Sequence, residues 1–225
     1  MTWMLCLTLA LTIITTACGI DTVGYIDKPL YVDTLMFRHE PINLGRSSYL
    51  GLNLYYRIYS TEVDAETDKQ AFETRQSGQI VEGTAIQYLT SATGLNYRLA
   101  YTAVISPEEE TVVSIDNLTF LDPPPTIDKA SAASLISVYL NSSSQQIFAL
   151  LSGALPAGKL AILRNASTPL LFSTRPIQGD PDFQQKGDNE SRVFVQLFIS
   201  SYGMDTNLID LHSNALYLGR LEIQY

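Results

Sequence analysis

Cysteine is almost missing from this chain. Its two cysteines, Cys6 and Cys18, both lie in the first eighteen residues. Everything after Cys18 therefore folds without an internal disulfide, and disulfide scaffolds are excluded. Histidine is as scarce, with His39 and His212 alone, and neither belongs to an H-E-x-x-H or H-x-H pattern that would hold zinc or place a general base. There is no phosphate loop, no G-x-G-x-x-G and no G-x-S-x-G elbow, so no motif for a nucleotide, a cofactor or a serine nucleophile is present. Basic clusters are also missing. The net charge is −9, and residues 1–20 carry no charged side chain, so all of it falls on residues 21–225. An acidic surface repels phosphate backbones and anionic lipid faces, which excludes nucleic acid as an expected partner and points any membrane contact to a covalent or apolar attachment.

Hydrophobic residues make up 46% of the 225 and charged residues 16%, enough apolar material for a packed core. The longest apolar or hydroxyl run is Trp3–Ala17, WMLCLTLALTIITTA, of 15 residues. A bilayer core needs about 20, whereas a signal-peptide apolar region needs fewer. The run ends in Thr15, Thr16 and Ala17, followed by Cys18 and Gly19. This ending resembles the bacterial lipoprotein signal, in the looser form of spirochaete-type lipoproteins. It differs from the usual pattern in having Thr15 in place of Leu, and in having no basic residue before Lys28, as expected if the natural start lies upstream. The resemblance implies cleavage before Cys18, acylation of Cys18 with diacylglycerol and palmitate, and a lipid-anchored place in a bacterial cell envelope, periplasmic or surface-exposed. Residues 1–17 then read as signal peptide and residues 18–29 as tether. Four N-x-S/T triplets, at Asn117, Asn141, Asn165 and Asn189, read as chance occurrences in such a chain.

The rest alternates. In Leu52–Tyr59, LNLYYRIY, residues Leu52, Leu54, Tyr56 and Ile58 share one face and Asn53, Tyr55, Arg57 and Tyr59 the other, a period-two pattern that predicts a half-buried strand with the second set turned to solvent. Asn96–Val104 alternates in the same way, and Leu30–Phe37 is a third candidate. Between the two clear strands lies a helical insertion. Thr61 can cap it, Glu62, Asp64 and Glu66 suit its positive end, Arg75 lies near the other end, and Gly78 can stop it. Its apolar residues, Val63, Ala71 and Phe72, form so thin a face that it is expected on a sheet edge. A second short helix is predicted over Ala85–Ala92 with Gly94 as its stop. Further strands are expected over Leu135–Leu140, Gln146–Leu151, Lys159–Leu163, Leu170–Ser173, Val193–Ser200 and Leu216–Gln224. Val193–Ile199 is apolar on both faces, as a central strand should be.

GLNLYYRIYS resembles the third strand of a fibronectin type III-like sandwich, with NYRLAYTAV as a later strand. Together with FRHEPIN and SNALYLGRLEI it is similar to uncharacterised spirochaete lipoproteins that carry such a domain. The expected fold class is therefore mainly β, with two β-sandwich domains. A fibronectin type III-like domain spans 30–122 and carries the helical insertion, a Pro-rich linker occupies 123–127, and a second sandwich spans 128–225. The linker rests on Pro123–Pro125, which cannot join a central strand.

Of the acidic loops, Gly179–Glu190 is the richest. Asp180, Asp182, Asp188 and Glu190 are hard oxygen donors that could serve calcium, but EF-hand spacing fails and Lys186 interrupts them, so a solvated turn is the simpler reading. Thirteen tyrosines offer a second possibility, a face for a carbohydrate or small ligand, although the single tryptophan, Trp3, sits in the signal segment. A paired-carboxylate enzyme is the third reading. The reading adopted is a non-catalytic interaction or structural module without cofactor, with the membrane as partner through the Cys18 lipid and another envelope protein as its binding partner.

Overall fold

A computed structural model describes residues 26–33, 36–38, 48–80, 83–104, 112–115, 126–128, 137–140, 145–149, 160–161, 174–184, 191–205 and 207–225. The chain is mainly β. One sheet has six strands, β1 (Leu30–Asp33), β2 (Met36–Arg38), β5 (Val112–Ile115), β7 (Ser137–Leu140), β8 (Gln145–Ala149) and β9 (Leu160–Ala161), side by side in that order. The other has seven. In it β10 (Phe183–Gln184), β3 (Tyr49–Tyr59), β11 (Arg192–Met204), β13 (Leu216–Gln224) and β6 (Thr126–Asp128) run in that order, β4 (Arg98–Val104) pairs with β3, and β12 (Asp210–His212) pairs with β11. The candidate Leu30–Phe37 is split into β1 and β2, which pair antiparallel.

The long ladder between β3 and β11 organises the second sheet. It is antiparallel and places Ile58 opposite Val195, Tyr56 opposite Leu197, Tyr55 opposite Phe198 and Asn53 opposite Ser200. On its other side β11 pairs with β13, Val195 against Leu221 and Gln196 against Arg220. Val193–Ile199, apolar on both faces, is thus a central strand as its composition predicts. The alternation of β3 is present, but its second face is not turned to solvent. Asn53, Tyr55 and Tyr59 are as buried as Leu52, Leu54, Tyr56 and Ile58.

The reason is the insertion. Helix α1 (Glu62–Ser77) and helix α2 (Ala85–Thr90) lie across this face of the sheet, not on its edge. Their residues Ala65, Phe72, Ala85, Ile86 and Leu89 form one core with Tyr55, Tyr59, Tyr97, Phe194 and Phe198. The thin apolar stripe of α1 is sufficient because the sheet meets it with large rings. Phe198 packs edge-on against Phe72 at 5.0 Å and Tyr97 at 5.4 Å, and tilted against Tyr217 at 5.3 Å between centroids. The helix ends follow the sequence. Thr61 Oγ1 accepts from the Asp64 N–H at 3.2 Å and donates to the Asp64 carboxylate at 2.7 Å, while the Gly78 N–H donates to the Thr74 carbonyl at 3.2 Å. Gly83, at φ +77, lets the chain entering α2 press against the His212 carbonyl, where any Cβ would collide.

The expected division at 123–127 does not separate the sheets. β3 belongs to the segment 30–122 and β11 to the segment 128–225, yet they are hydrogen-bonded neighbours over most of their lengths. In the six-stranded sheet β5 pairs with β7 across the same boundary. The strand pairing joins the two segments. A proline run marks a stretch that cannot enter a central strand, and a connection between sheets satisfies that as well as a linker between domains does. Pro123–Pro125 themselves, the signal segment 1–17, residues 18–25 of the expected tether 18–29 and the candidate strand Leu170–Ser173 lie outside the described residues, while the end of that tether is packed, with Ile26 buried and the Asp27 carbonyl accepting from Ser201 Oγ.

Candidate functional site

Charged and hydroxyl side chains meet in the seam between α1 and the sheet. Arg220 stands in β13 on the helix-facing side, opposite Gln196. Its guanidinium reaches the first two turns of α1, where it pairs with Glu62 and, at 3.4 Å, with Glu66. The guanidinium fork, with fixed N–H directions, suits two carboxylates one helical turn apart. Burial and hydrogen bonding oppose each other at Glu66. Desolvation pushes its carboxyl up, but hydrogen bonds from Gln70 and Lys69 and the charges of Lys69 and Arg220 outweigh it, so the net shift is downward.

Two residues further along, Asp68 receives the Arg57 guanidinium at 3.7 Å and the Tyr59 phenol at 3.0 Å. Tyr59 Oη also lies 2.9 Å from Tyr97 Oη, and Tyr97 donates to Gln196 Oε1 at 3.0 Å. A phenol has one proton, so Tyr59 serves one of its two acceptors at a time. Burial pushes the Tyr59 and Tyr97 hydroxyls far up and the Tyr217 hydroxyl up to about 12. These groups are neutral donors at any physiological pH and supply no base.

Outside the seam, a cleft of about 430 Å³ opens beside the start of α1, lined by Glu62, Val63, Glu66, Thr67, Gln70 and Arg220. Its wall has one cation already committed to two anions. That arrangement can receive a polar or cationic group, but it holds no nucleophile paired with a base.

A second polar cluster lies towards the far end of the same sheet face. Thr102 donates to Asn53 Oδ1 at 2.7 Å, and Asn53 Nδ2 donates to Tyr55 Oη at 3.2 Å. Tyr202 approaches Asp210 at 3.4 Å and lies 5.7 Å from the His212 ring. His212 Nδ1 is buried without a partner among the described residues, and burial pushes the imidazole below its usual value, Asp210 working the other way. His212 ends strand β12, packed against Tyr202.

The calcium candidates are placed in part. Asp182 is buried; its carboxylate accepts from the Tyr56 phenol at 2.8 Å and its carbonyl from the Ile58 N–H at 3.0 Å. Asp180 accepts from the Ile177 N–H at 3.0 Å. The Asp182 bonds fasten the loop before β10 to the end of β3, and the Asp180 bond closes a turn within that loop. Asp188, Glu190, His39 and the lipid candidate Cys18 lie outside the described residues. Among the described residues no group of three or more His, Cys, Asp or Glu side chains could hold a metal ion, and no helix is long and apolar enough to cross a membrane. The tyrosines are core residues. Tyr49, Tyr55, Tyr56, Tyr59 and Tyr97 are buried, and Tyr88, Tyr202, Tyr217 and Tyr225 are half-buried.

Sequence reasoning did not find the Arg220–Glu62–Glu66 cluster. Its members are more than 150 residues apart, and only the strand pairing brings them together. The fold and this seam define a mainly β protein whose principal sheet is covered on one face by an inserted helical pair. No family model, curated protein or solved structure matches the chain.

Proposed function

We propose that the protein is a lipid-anchored component of a bacterial cell envelope that acts as a non-catalytic interaction or structural module. The observation that carries this reading is the 15-residue apolar run that ends in small residues before Cys18, in a chain whose one other cysteine lies inside that same run. Acylation of Cys18 gives that cysteine a use that no disulfide can. The non-catalytic part is supported by the seam, where the titratable groups are spent on one another and the phenols are held neutral. The kinship with spirochaete lipoproteins and with fibronectin type III-like domains belongs to the same proposal. It is supported by the sequence of β3, whose partnership with β11 carries any such sandwich beyond residues 30–122. The reading of a tyrosine face for a carbohydrate draws no support from Tyr49, Tyr55, Tyr56, Tyr59 and Tyr97, which pack inward.

The test is metabolic labelling with a clickable palmitate analogue, followed by membrane fractionation, for the natural chain and Cys18→Ser. The proposal expects label and membrane association in the first and neither in the second. Persistent label on Cys18→Ser would overturn it. Cross-linking in intact envelopes would then identify the partner.

A further inference from the structure

We propose that helix α1 is a releasable strap, held on the sheet chiefly by charge, and that acid lifts it while the sheet beneath stays folded. This does not depend on where in a cell the protein resides.

Of the 16 residues of α1 only Ala65 and Phe72 are buried. The other holds are polar. Glu62 and Glu66 grip Arg220, Asp68 takes Arg57 and the Tyr59 phenol, and Gln76 exchanges two hydrogen bonds with the Ala215 backbone, at 2.9 and 2.7 Å. An element with few buried apolar contacts opens at a lower free energy than the core it covers. β11 is at the opposite extreme, buried along almost its whole length and paired on both sides.

Three of the four attachments end on carboxylates. The folded protein holds the Glu66 carboxyl below its ordinary value. A carboxyl with a depressed folded value contributes stability that is fully present above the unfolded value, about 4.3 for Glu, and is lost as pH falls through the folded one. Protonation also leaves Arg220 and Arg57, whose side chains are 10% and 14% exposed, without anions, and a largely buried cation without a partner is strongly unfavourable.

The remaining charged and titratable groups do not compensate. Lys69 lies over the Tyr217 ring at 4.8 Å and Arg75 over the Tyr88 ring at 5.7 Å, and both keep their charge in acid. Tyr59, Tyr97 and Tyr217 stay neutral. Asp64 belongs to the Thr61 cap, and Glu73 is a further carboxylate near Tyr217. The helix carries five carboxylates against Lys69 and Arg75, so full protonation turns it from acidic to basic while it faces two arginines.

Hydrogen exchange on the full chain, between pH 6.5 and pH 3 and corrected for intrinsic rates, tests this. Protection of the α1 amides should fall about tenfold or more relative to that of β11 and β13. The triple change Glu62→Gln, Glu66→Gln and Asp68→Asn should show low α1 protection already at pH 6.5 and little further change in acid. Gln76→Ala, which cuts the uncharged attachment, should lower α1 protection at pH 6.5, where the carboxylates still hold the helix, and leave the further fall in acid in place. If α1 and β11 lose protection together, or α1 keeps its protection at pH 3, the proposal is wrong. The natural chain decides this even if the triple variant does not fold.

Discussion

The two faces of the β3–β11 ladder share one backbone and are built differently. One face is aliphatic, with Leu52, Leu54, Ile58, Val195, Leu197 and Ile199, and Tyr56 is its one ring among these positions. The other is aromatic and polar, with Asn53, Tyr55, Arg57 and Tyr59 opposite Ser200, Phe198, Gln196 and Phe194. Both are buried, but they reach burial by different physics. The aliphatic face gains from area removed from water and needs no direction. The aromatic face also buries hydroxyls, amides and charges that need partners, and it supplies part of them through the Tyr59–Tyr97–Gln196 contacts and the Arg57–Asp68 and Arg220–Glu66 pairs, while Arg220 Nε is buried without a partner among the described residues. A face built in this way is directional and charge-dependent, and it is the one closed by a helix pair.

That contrast can be broken by mutation. The largest effect is expected at Phe198, which touches three rings at the centre of the helix-covered core; Phe198→Ala should cost about 3–5 kcal/mol in urea denaturation. Next come the neighbours Leu54 and Tyr55, one on each face. Leu54→Ala should cost about 2–5 kcal/mol, and Tyr55→Ala should cost as much or more, because Tyr55 is equally buried under the helices. A Tyr55→Ala loss of about half a kcal/mol, the value of an ordinary surface site, would mean that the helices do not cover this face. Smaller again is Tyr59→Phe, which keeps the ring and removes the hydroxyl shared between Asp68 and Tyr97. About 1–2 kcal/mol should be lost, visible as a shifted midpoint with an unchanged slope. The smallest effect is expected at Val63, 74% exposed on the outer side of α1, where Val63→Ser should move stability by no more than about half a kcal/mol.

Local structure was largely legible in the sequence. Strand β13 has the predicted bounds, α1 begins at the predicted cap and stops at the predicted glycine, and the doubly apolar stretch in β11 is central. Each rests on a short-range rule of period, cap or composition. What covers a face was not legible. Alternation tells which residues of β3 share a side, but Asn, Tyr and Arg read as solvent-facing unless a partner is known, and their partner here is an insertion whose longer helix has only two buried residues. Strand NYRLAYTAV shows the same limit. Its bounds shorten to Arg98–Val104, and a register shift against β3 leaves Leu99 53% exposed while Tyr97 is buried.

Strand partnership was equally hidden. Nothing local in residues 49–59 names residues 194–203 as their complement, and the prolines between them suggested a boundary. The candidate seam inherits this difficulty. Arg220 alternates with Leu221 like any outward-facing cation, and only the ladder register shows that it points at Glu62 and Glu66.

The account depends most on one sheet being formed from both halves of the chain. Proton–proton Overhauser contacts across the β3–β11 ladder, measured on isotope-labelled protein, test this most directly. Cross-strand backbone contacts should join Tyr55 to Phe198, Arg57 to Gln196 and Asn53 to Ser200. If these contacts are missing, and each strand shows backbone contacts only within its own half of the chain, the single shared sheet is wrong and two separate domains divided near residue 123 are restored.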